Sequence, residues 1–279
     1  MVDKARENSR TLWDEMAPGW DRYRDFMWQT TRHVAEWLVD HVEPRPGDTI
    51  LDLAGGPGDN GFLAAERVGQ EGKVVVTDFA PEMVAVARRR AADANLGNVE
   101  ARVLDAEQMD LDDDSVDGII CRWGFMLMLD PERALGECRR VLKEGRRLSL
   151  SVWGSPDQNP WATVTGMTVM QLGHQPARDP FGPGGMFSMA DLAKVESMLT
   201  GAGFHVVATD EMPVTWSQDS FEDAWAFMSE VAGPIASIIK DLSSDEITAL
   251  QSQLQTNLEP FRDGTGYTIP GVTLNAAAR

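Results

Sequence analysis

The stretch "ILDLAGGPGDNG", Ile50 to Gly61, carries an apolar run into an acid, then into a glycine-rich loop, then into the opening of a helix. Gly56, Gly58 and Gly61 satisfy G-x-G-x-x-G, the glycine pattern of dinucleotide sites. The residues on either side decide whether the ligand carries phosphate. "KVVVTD" (73–78), "VEARVLD" (99–105), "VDGIIC" (116–121) and "RRLSLSVW" (146–153) are further short apolar runs. Between them, "PEMVAVARRRAADAN" and "DPERALGECRRVLK" have helical spacing, with Pro81 and Pro131 in first turns where a missing N–H costs nothing. Strands alternating with helices of this length predict a parallel sheet with helices on both faces.

In an open α/β sheet the ligand lies beyond the carboxyl ends of the strands. Asp52, Asp78 and Asp105 fall at three such ends, one per strand–helix unit. A pyrophosphate needs a helix N-terminus free of negative charge, and Asp52 stands four residues before the first glycine of the pattern. A nucleoside sulfonium reverses the preference. It has no phosphate, and its ammonium end, ribose hydroxyls and adenine amino group all donate to carboxylates. The three acids fit that ligand better than a nicotinamide dinucleotide. An oxidoreductase using Gly56–Gly61 is the competing reading, and the chain has no evident Tyr-x-x-x-Lys to support it.

These residues resemble the class I S-adenosylmethionine-dependent methyltransferases, most closely the ubiquinone/menaquinone C-methyltransferase branch. "ILDLAGGPGDNG" is similar to their glycine-rich motif and "VVVTDFAPEMVAVARRRA" to their second motif. The run from Val103 to Trp153 resembles their third to sixth motifs. The resemblance is firm over residues 48–153 and weaker beyond Ser188. It implies S-adenosyl-L-methionine as cofactor and S-adenosyl-L-homocysteine as product. Asp52, Ala54, Gly55, Gly56 and Gly58 would line the methionine part, Asp78 the ribose, and Phe79 and Met83 the adenine faces. Asp105, Ala106 and Glu107 would meet the adenine edge. Arg122 and Trp123 would lie between cofactor and acceptor, and Trp20, followed by Asp21, would cover the cofactor from the N-terminal helix. Two departures stand out: Ala54 replaces a usual glycine, and "KEGRR" (143–147) replaces K-P-G-G-R.

The expected fold is a doubly wound α/β, Rossmann-like sheet of seven mostly parallel strands. "HVVATDEMPVTW" would be the sixth, and "GYTIPGVTLNAAA" an antiparallel edge strand in which Pro270 avoids a central position. Residues 1–43 read as an N-terminal helical lid of two helices around Pro18-Gly19, and 44–153 as the cofactor core. Residues 154–187 read as a cap, and 188–279 as the completion of the sheet with inserted helices, starting from Ser188 as an N-cap.

Composition narrows the partners. With 25 Lys+Arg against 44 Asp+Glu the formal net charge is −19, which opposes the phosphate contacts that drive nucleic-acid binding. A small-molecule acceptor, uncharged or cationic and largely apolar, is expected instead. No N/D-P-P-[YF] motif follows the fourth strand; "RWGFML" stands there. Cys121 and Cys138 are the only cysteines, too few and too irregularly placed for a disulfide scaffold or metal site. Asp112, Asp113 and Asp114 read as a solvated acidic loop, so no metal is expected. The N-terminus lacks the apolar core of a signal peptide and no apolar run approaches 18 residues, so a cytoplasmic protein without a membrane span is expected. Monomer and homodimer both stay open.

Acceptor residues are harder to read. Trp28, Trp161, Met167, Met170, Met186 and Met189 are either an adaptable apolar pocket or the core of the cap. Trp123 and Met126 are either pocket or core. His174 and His33 are weak candidates for a general base, and also for ordinary surface histidines. No motif names a base. A methyltransferase fold with different chemistry is compatible with every motif above.

Overall fold

The apolar runs at 50–52, 74–77, 116–122 and 148–153 become strand segments buried on both faces of one sheet, which is why they lack alternation, whereas 99–103 lies at the sheet edge with Val103 exposed. The computed structural model describes residues 2–175 and 178–279. In chain order the elements are α1 (Val2–Arg22), α2 (Arg24–Val42), β1 (Thr49–Asp52), α3 (Asp59–Val68), β2 (Lys73–Asp78), α4 (Pro81–Asp93), β3 (Val99–Val103), β4 (Val116–Arg122) and α5 (Pro131–Val141). Then come β5 (Leu142–Trp153), α6 (Pro160–Gln171), α7 (Leu192–Gly201), β6 (Val206–Gln218), α8 (Phe221–Val231), α9 (Pro234–Lys240), α10 (Ser244–Leu258), β7 (Arg262–Asp263) and β8 (Gly266–Ala278).

The strand order is β3-β2-β1-β4-β5-β8-β6. β1 to β5 are mutually parallel, and β8 runs antiparallel to both β5 and β6. The direction of winding reverses between β1 and β4, so the crevice that takes a ligand opens beyond Asp52 and Arg122. The eighth strand is the two-residue β7, paired to β8 off the main path. One face of the sheet packs on α2, α3 and α4 through Val39, Leu63, Val84, Ile50, Val76 and Ile120. The other packs on α5 and α7 through Leu135, Cys138, Leu199, Leu51, Ile119 and Leu150.

Three details differ from the sequence reading. α1 runs through Pro18 and Gly19 to Arg22, and the chain turns only at Tyr23. Pro18 forfeits one intrahelical bond, but Met16 and Ala17 are buried beside it. Gly19 lies so close to the Glu230 backbone that a Cβ would collide with it, so packing outweighs the lost bond. α7 begins after Asp191, whose side chain accepts from the Ala193 N–H; Ser188 instead donates to the Met126 carbonyl. β8 joins the sheet one place in from the outermost strand, β6. Pro270 sits where β8 has passed the end of β5, so only β6 pairs it there, with Thr215. A missing N–H is tolerated in such a stretch.

The unusual "KEGRR" turn also has a structural reason. Arg146 binds both Asp48 and Asp117, and Lys143 reaches Asp117 at 3.0 Å. The side chain that replaces glycine closes a charge network at the amino end of the sheet, opposite the cofactor crevice.

Candidate active site

Asp52 ends β1 fully buried. Its Oδ2 accepts the Gly61 N–H at 2.8 Å. A Cβ at Gly55 would lie 2.6 Å from that oxygen, and one at Gly61 2.9 Å. These two positions therefore demand glycine because the loop wraps the carboxylate, independently of any phosphate. The other oxygen, Oδ1, is buried with no partner. Burial pushes the Asp52 carboxyl up to about 7, against the Gly61 N–H and the Arg122 charge.

Asp78 ends β2, half-buried. Its oxygens accept from Gly56 N–H at 3.0 Å and Ala80 N–H at 2.9 Å, so one carboxylate ties the glycine loop to the start of α4. Burial pushes it up to about 6, against those N–H groups. Gly56 has φ +52° and nothing within 4 Å of where a Cβ would be, leaving open space above the loop. Arg90 of α4 pins the far side, donating to the Pro57 carbonyl at 2.8 Å and Asp59 at 2.7 Å.

Two non-glycine residues here take left-handed backbone, Ala54 (φ +51°) and Trp123 (φ +58°). Such residues cost roughly 1–3 kcal/mol each and gather at functional sites. A left-handed backbone at Ala54 is one that glycine adopts more readily than alanine. Arg122 is buried, donates to Thr31 Oγ1, stands 3.7 Å from Asp59 and lies 5.0 Å from the Trp123 ring. Burial holds its guanidinium below its ordinary value, and Asp59 and Asp52 oppose that.

Beyond Trp123 lies an aromatic cluster. Trp123 stacks on Trp153 at 4.2 Å and 16°, and donates its indole N–H to Thr273 at 2.9 Å. Trp153 meets Trp161 at 4.8 Å, and Trp161 meets Trp216 at 4.9 Å. Phe26 and Phe227 close the far side. Trp161 lies over Gly271, and buried Asn159 takes its indole N–H at 3.0 Å while also pairing with the Val272 backbone.

α1 lies across the start of α4. Met16 and Ala17 pack with Ala80, Met83 and Val86, with Trp13 and Trp20 alongside. Asp14 accepts the Glu82 N–H at 2.9 Å, capping α4 from outside. Arg6 pairs with Asp105 at 3.1 Å and with Glu107, and Arg178 donates to the Ala5 carbonyl at 2.7 Å. The segment after α6 therefore meets the N-terminal helix directly. The Trp20 indole nitrogen is buried without a partner.

The structure ties Gly61 to Asp52 and Gly56 to Asp78 by direct hydrogen bonds at the carboxyl ends of β1 and β2, sets Gly55 against the Asp52 carboxylate, places Ala54 and Trp123 in left-handed backbone, packs Trp20 near Met83, and pairs Asp105 with Arg6. Others fall elsewhere. Glu107 is spent: it is buried and holds the Leu129 and Asp130 N–H groups as well as Arg6. Trp28 joins the α2–α3–α4 cluster beside Phe62, with Arg32 over its ring, apart from Trp161. Met126 is core, and its sulfur accepts the Trp153 N–H at 3.4 Å. His33 is exposed and bonds the Pro213 carbonyl at 2.8 Å. His174 sits beyond α6, 3.9 Å from Glu246 at the start of α10. Neither histidine touches the crevice. Met167 and Met170 are exposed. Sequence reasoning missed Arg6, Thr31 and Trp216, which belong to no motif, and gave no role to Trp153, which ends the last one.

Comparison with known proteins agrees with this geometry. A family model described as a methyltransferase domain matches residues 44–173. The chain is 38% identical over 160 residues to the ubiquinone/menaquinone biosynthesis C-methyltransferase UbiE of Teredinibacter turnerae, covering 57% of this chain and 64% of that one. The match therefore spans just under two thirds of that relative's length. It is 30% identical over 159 residues to the 2-phytyl-1,4-naphtoquinone methyltransferase of Trichormus variabilis, covering 55% of this chain and 68% of that one. In fold it is similar to the YcgJ protein of Bacillus subtilis, with a TM-score of 0.60 at 19% identity over 89% of this chain and 98% of the other. With the glycine loop, the strand-end acids and these relatives in agreement, the chain belongs to the class I S-adenosylmethionine-dependent methyltransferases.

Proposed function

We propose that this chain transfers the methyl group of S-adenosylmethionine to a small, largely apolar acceptor that is uncharged or cationic. The observation that carries the cofactor side is Asp52 Oδ1. A buried carboxylate oxygen without a donor is costly, and it lies beside a glycine loop with open space above it. The ammonium end of the cofactor supplies the missing donor, directly or through water. Asp78 would take the ribose, Phe79 and Met83 the adenine faces, and Asp105 its amino group, under a cover formed by α1 with Trp20. A pyrophosphate at the same loop would meet Asp59 in the first turn of α3 as well as Asp52, which disfavours a dinucleotide.

When bound, the cofactor supplies an electrophilic methyl on a positively charged sulfur. The residues of the chain hold the two reactants in line, a contribution worth up to roughly 7–11 kcal/mol. Trp123 and Trp153 exclude water and present π faces that favour positive charge. The acceptor side rests on the aromatic cluster and the −19 charge. The quinone methyltransferases among the relatives make a ring-bearing acceptor the first to try. No helix among the described residues is long and apolar enough to cross a membrane. Mass spectrometry of the purified protein for S-adenosylmethionine or S-adenosylhomocysteine, followed by turnover of an acceptor panel, tests the proposal. Binding of labelled NAD without binding of S-adenosylhomocysteine would overturn it.

A further inference from the structure

We propose that Thr31 is a positioning residue of the cofactor site: its hydroxyl holds the Arg122 guanidinium between Asp59 and Asp52, so that Asp52 keeps its charge for the ammonium end of the cofactor without giving up an oxygen to Arg122. This rests on the methyltransferase reading above. Thr31 lies in α2, Asp52 ends β1 and Arg122 ends β4. Asp52 pairs across the two strands with Ile120, two positions before Arg122. Ile50 and Ile120 both pack in the α2–α3–α4 cluster. Side chains two apart along a strand share a face, so Asp52 and Arg122 both project toward α2 and α3. Thr31 stands 91 positions from Arg122, in no motif.

Thr31 is fully buried, and its hydroxyl donates its one hydrogen to the Met27 carbonyl a turn back at 2.7 Å. Toward Arg122 it can therefore only accept, and Arg122 Nη1 donates to it. Such back-bonding gives a helix interior nothing; here it orients a neutral acceptor that leaves the guanidinium its full charge. Arg122 Nη2 stops 3.7 Å from Asp59, beyond hydrogen-bond length, and Arg90 of α4 already holds Asp59 at 2.7 Å. Asp52 Oδ2 accepts from Gly61 and Oδ1 has no partner, so Arg122 acts on Asp52 through its field alone. Of the other titratable groups nearby, Cys121 of β4 stays a neutral thiol, pushed up to about 12 by burial, and Asp78 of β2 is bound to the Gly56 and Ala80 N–H groups. Without the Thr31 acceptor the guanidinium closes on Asp59. Burial, which already disfavours the charged form of Asp52, then meets less opposition.

The competing role is packing alone, in which the hydroxyl does no more than satisfy a buried cation. Two measurements separate the roles. One is carboxyl-carbon NMR of the ligand-free protein, with Asp52 assigned through Asp52→Asn. The other is calorimetry with S-adenosylhomocysteine across the same pH range. Thr31→Val keeps the shape and removes the acceptor. A neighbouring opposite charge lowers a carboxyl by about one to three pH units, so losing part of it should raise the Asp52 midpoint by about one. Affinity should then fall about tenfold at about pH 6 and stay within about twofold at about pH 8.5, where Asp52 is ionised in both proteins. Thr31→Ser, which restores the acceptor, should behave as wild type. Thr31→Cys, whose sulfur is a weak acceptor, should move the midpoint in the same direction and gives the answer should the valine variant fold poorly. An Asp52 midpoint unmoved in the folded valine or cysteine variant, affinity lowered equally at both pH values, or a serine variant that behaves like valine would overturn the inference. Failure of the wild type to bind S-adenosylhomocysteine would instead overturn the methyltransferase reading, while the NMR titration would still read the coupling of Thr31 to Asp52.

Discussion

Arg6 in the first helix reaches across 99 positions of sequence to Asp105, with Nη1 3.1 Å from the carboxylate, while its other terminal nitrogen binds Glu107. The Asp105 oxygen it holds is the one proposed for the adenine amino group, because the other already accepts the Glu107 N–H. A cation therefore stands where a ligand donor has to come. Arg6→Ala should open that position. Partly exposed pairs contribute about 0–1 kcal/mol each, so S-adenosylhomocysteine should bind up to about fivefold more tightly, with a small loss of thermal stability. Calorimetry measures the first and scanning fluorimetry the second. Binding weakened tenfold would show that Arg6 clamps the cofactor rather than occupying its place.

The same contacts predict that closure is shared. Arg178 grips the Ala5 carbonyl, and Asp14 caps α4, so α1 and the segment around 178–190 should become protected together when cofactor binds. Hydrogen exchange with and without S-adenosylhomocysteine checks this. Protection confined to the glycine loop would refute a common cover.

Asp52 makes cofactor affinity depend on pH. Burial raises its carboxyl to about 7, far above the unfolded value of about 4. For a carboxyl raised on folding, the stability contribution is present below the unfolded value and is lost as pH rises through the folded one. The free protein should therefore lose stability between about pH 4 and 7, and Asp52→Asn should flatten that slope. An ammonium beside Oδ1 favours the ionised form, so binding should release protons and affinity should rise toward pH 7, then level off. Asp78, raised to about 6 in the same direction, adds to the lower part of the window. Calorimetry in buffers of different ionisation enthalpy reads the proton release directly. A pH-independent affinity would remove Asp52 from the cofactor site.

What the sequence discloses follows from locality. Asp52 and Asp78 at the ends of β1 and β2, and Asp105 two residues past β3, are legible because a strand end is a local signal. The parallel sheet was legible for the same reason. Arg6 reaches Asp105 across 99 positions and Arg146 reaches Asp48 across 98, and no local pattern announces such a partner. Pro18 misled because a proline speaks against helix locally, while the packing of Met16 and Gly19 that outweighs it is tertiary. Trp28 and Trp161 looked alike in sequence, yet α2 turns one toward α3 and Asn159 fixes the other on β8.

Arg146→Gly, which restores the usual turn residue, should destabilise the protein. Asp48 and Asp117 are 7% and 8% exposed, and both lean on Arg146. Burial pushes Asp117 up, but the Thr49 N–H, Lys143 and Arg146 together hold it below its ordinary value. Removing one partner of a buried pair costs about 3–5 kcal/mol; with Arg146 partly exposed and Lys143 still in place, about 1–3 kcal/mol is expected from urea titration at pH 7. A carboxyl lowered on folding contributes stability above its unfolded value and loses it as pH falls, so the penalty should shrink in acid. Unchanged stability at pH 7 would mean that the network contributes nothing. Cofactor affinity should not move, because the network lies at the opposite end of the strands.

Asp78→Ala should weaken cofactor binding more than loss of any other single carboxylate. The residue closes β2 with both oxygens facing the glycine loop and the start of α4, and each oxygen retains a lone pair for a ribose hydroxyl. Hydrogen bonds to a charged group contribute roughly 1.5–3 kcal/mol each. Losing two, partly offset by water, predicts about ten- to a thousand-fold weaker binding of S-adenosylhomocysteine, since 1.4 kcal/mol is about tenfold. The structure adds a second consequence. Without Asp78 the Gly56 and Ala80 N–H groups lose their acceptor, so the loop should also exchange faster in the free protein. Asp78→Asn separates the two effects, because its amide oxygen can still accept from one of these N–H groups while the charge is gone. Asp112→Ala is the control: its side chain is exposed in the acidic loop, where Asp113 rather than Asp112 pairs with Arg140. Calorimetry on the folded variants decides the matter. Near-native affinity in Asp78→Ala would remove the ribose assignment and leave Asp78 as a fastening for the loop alone.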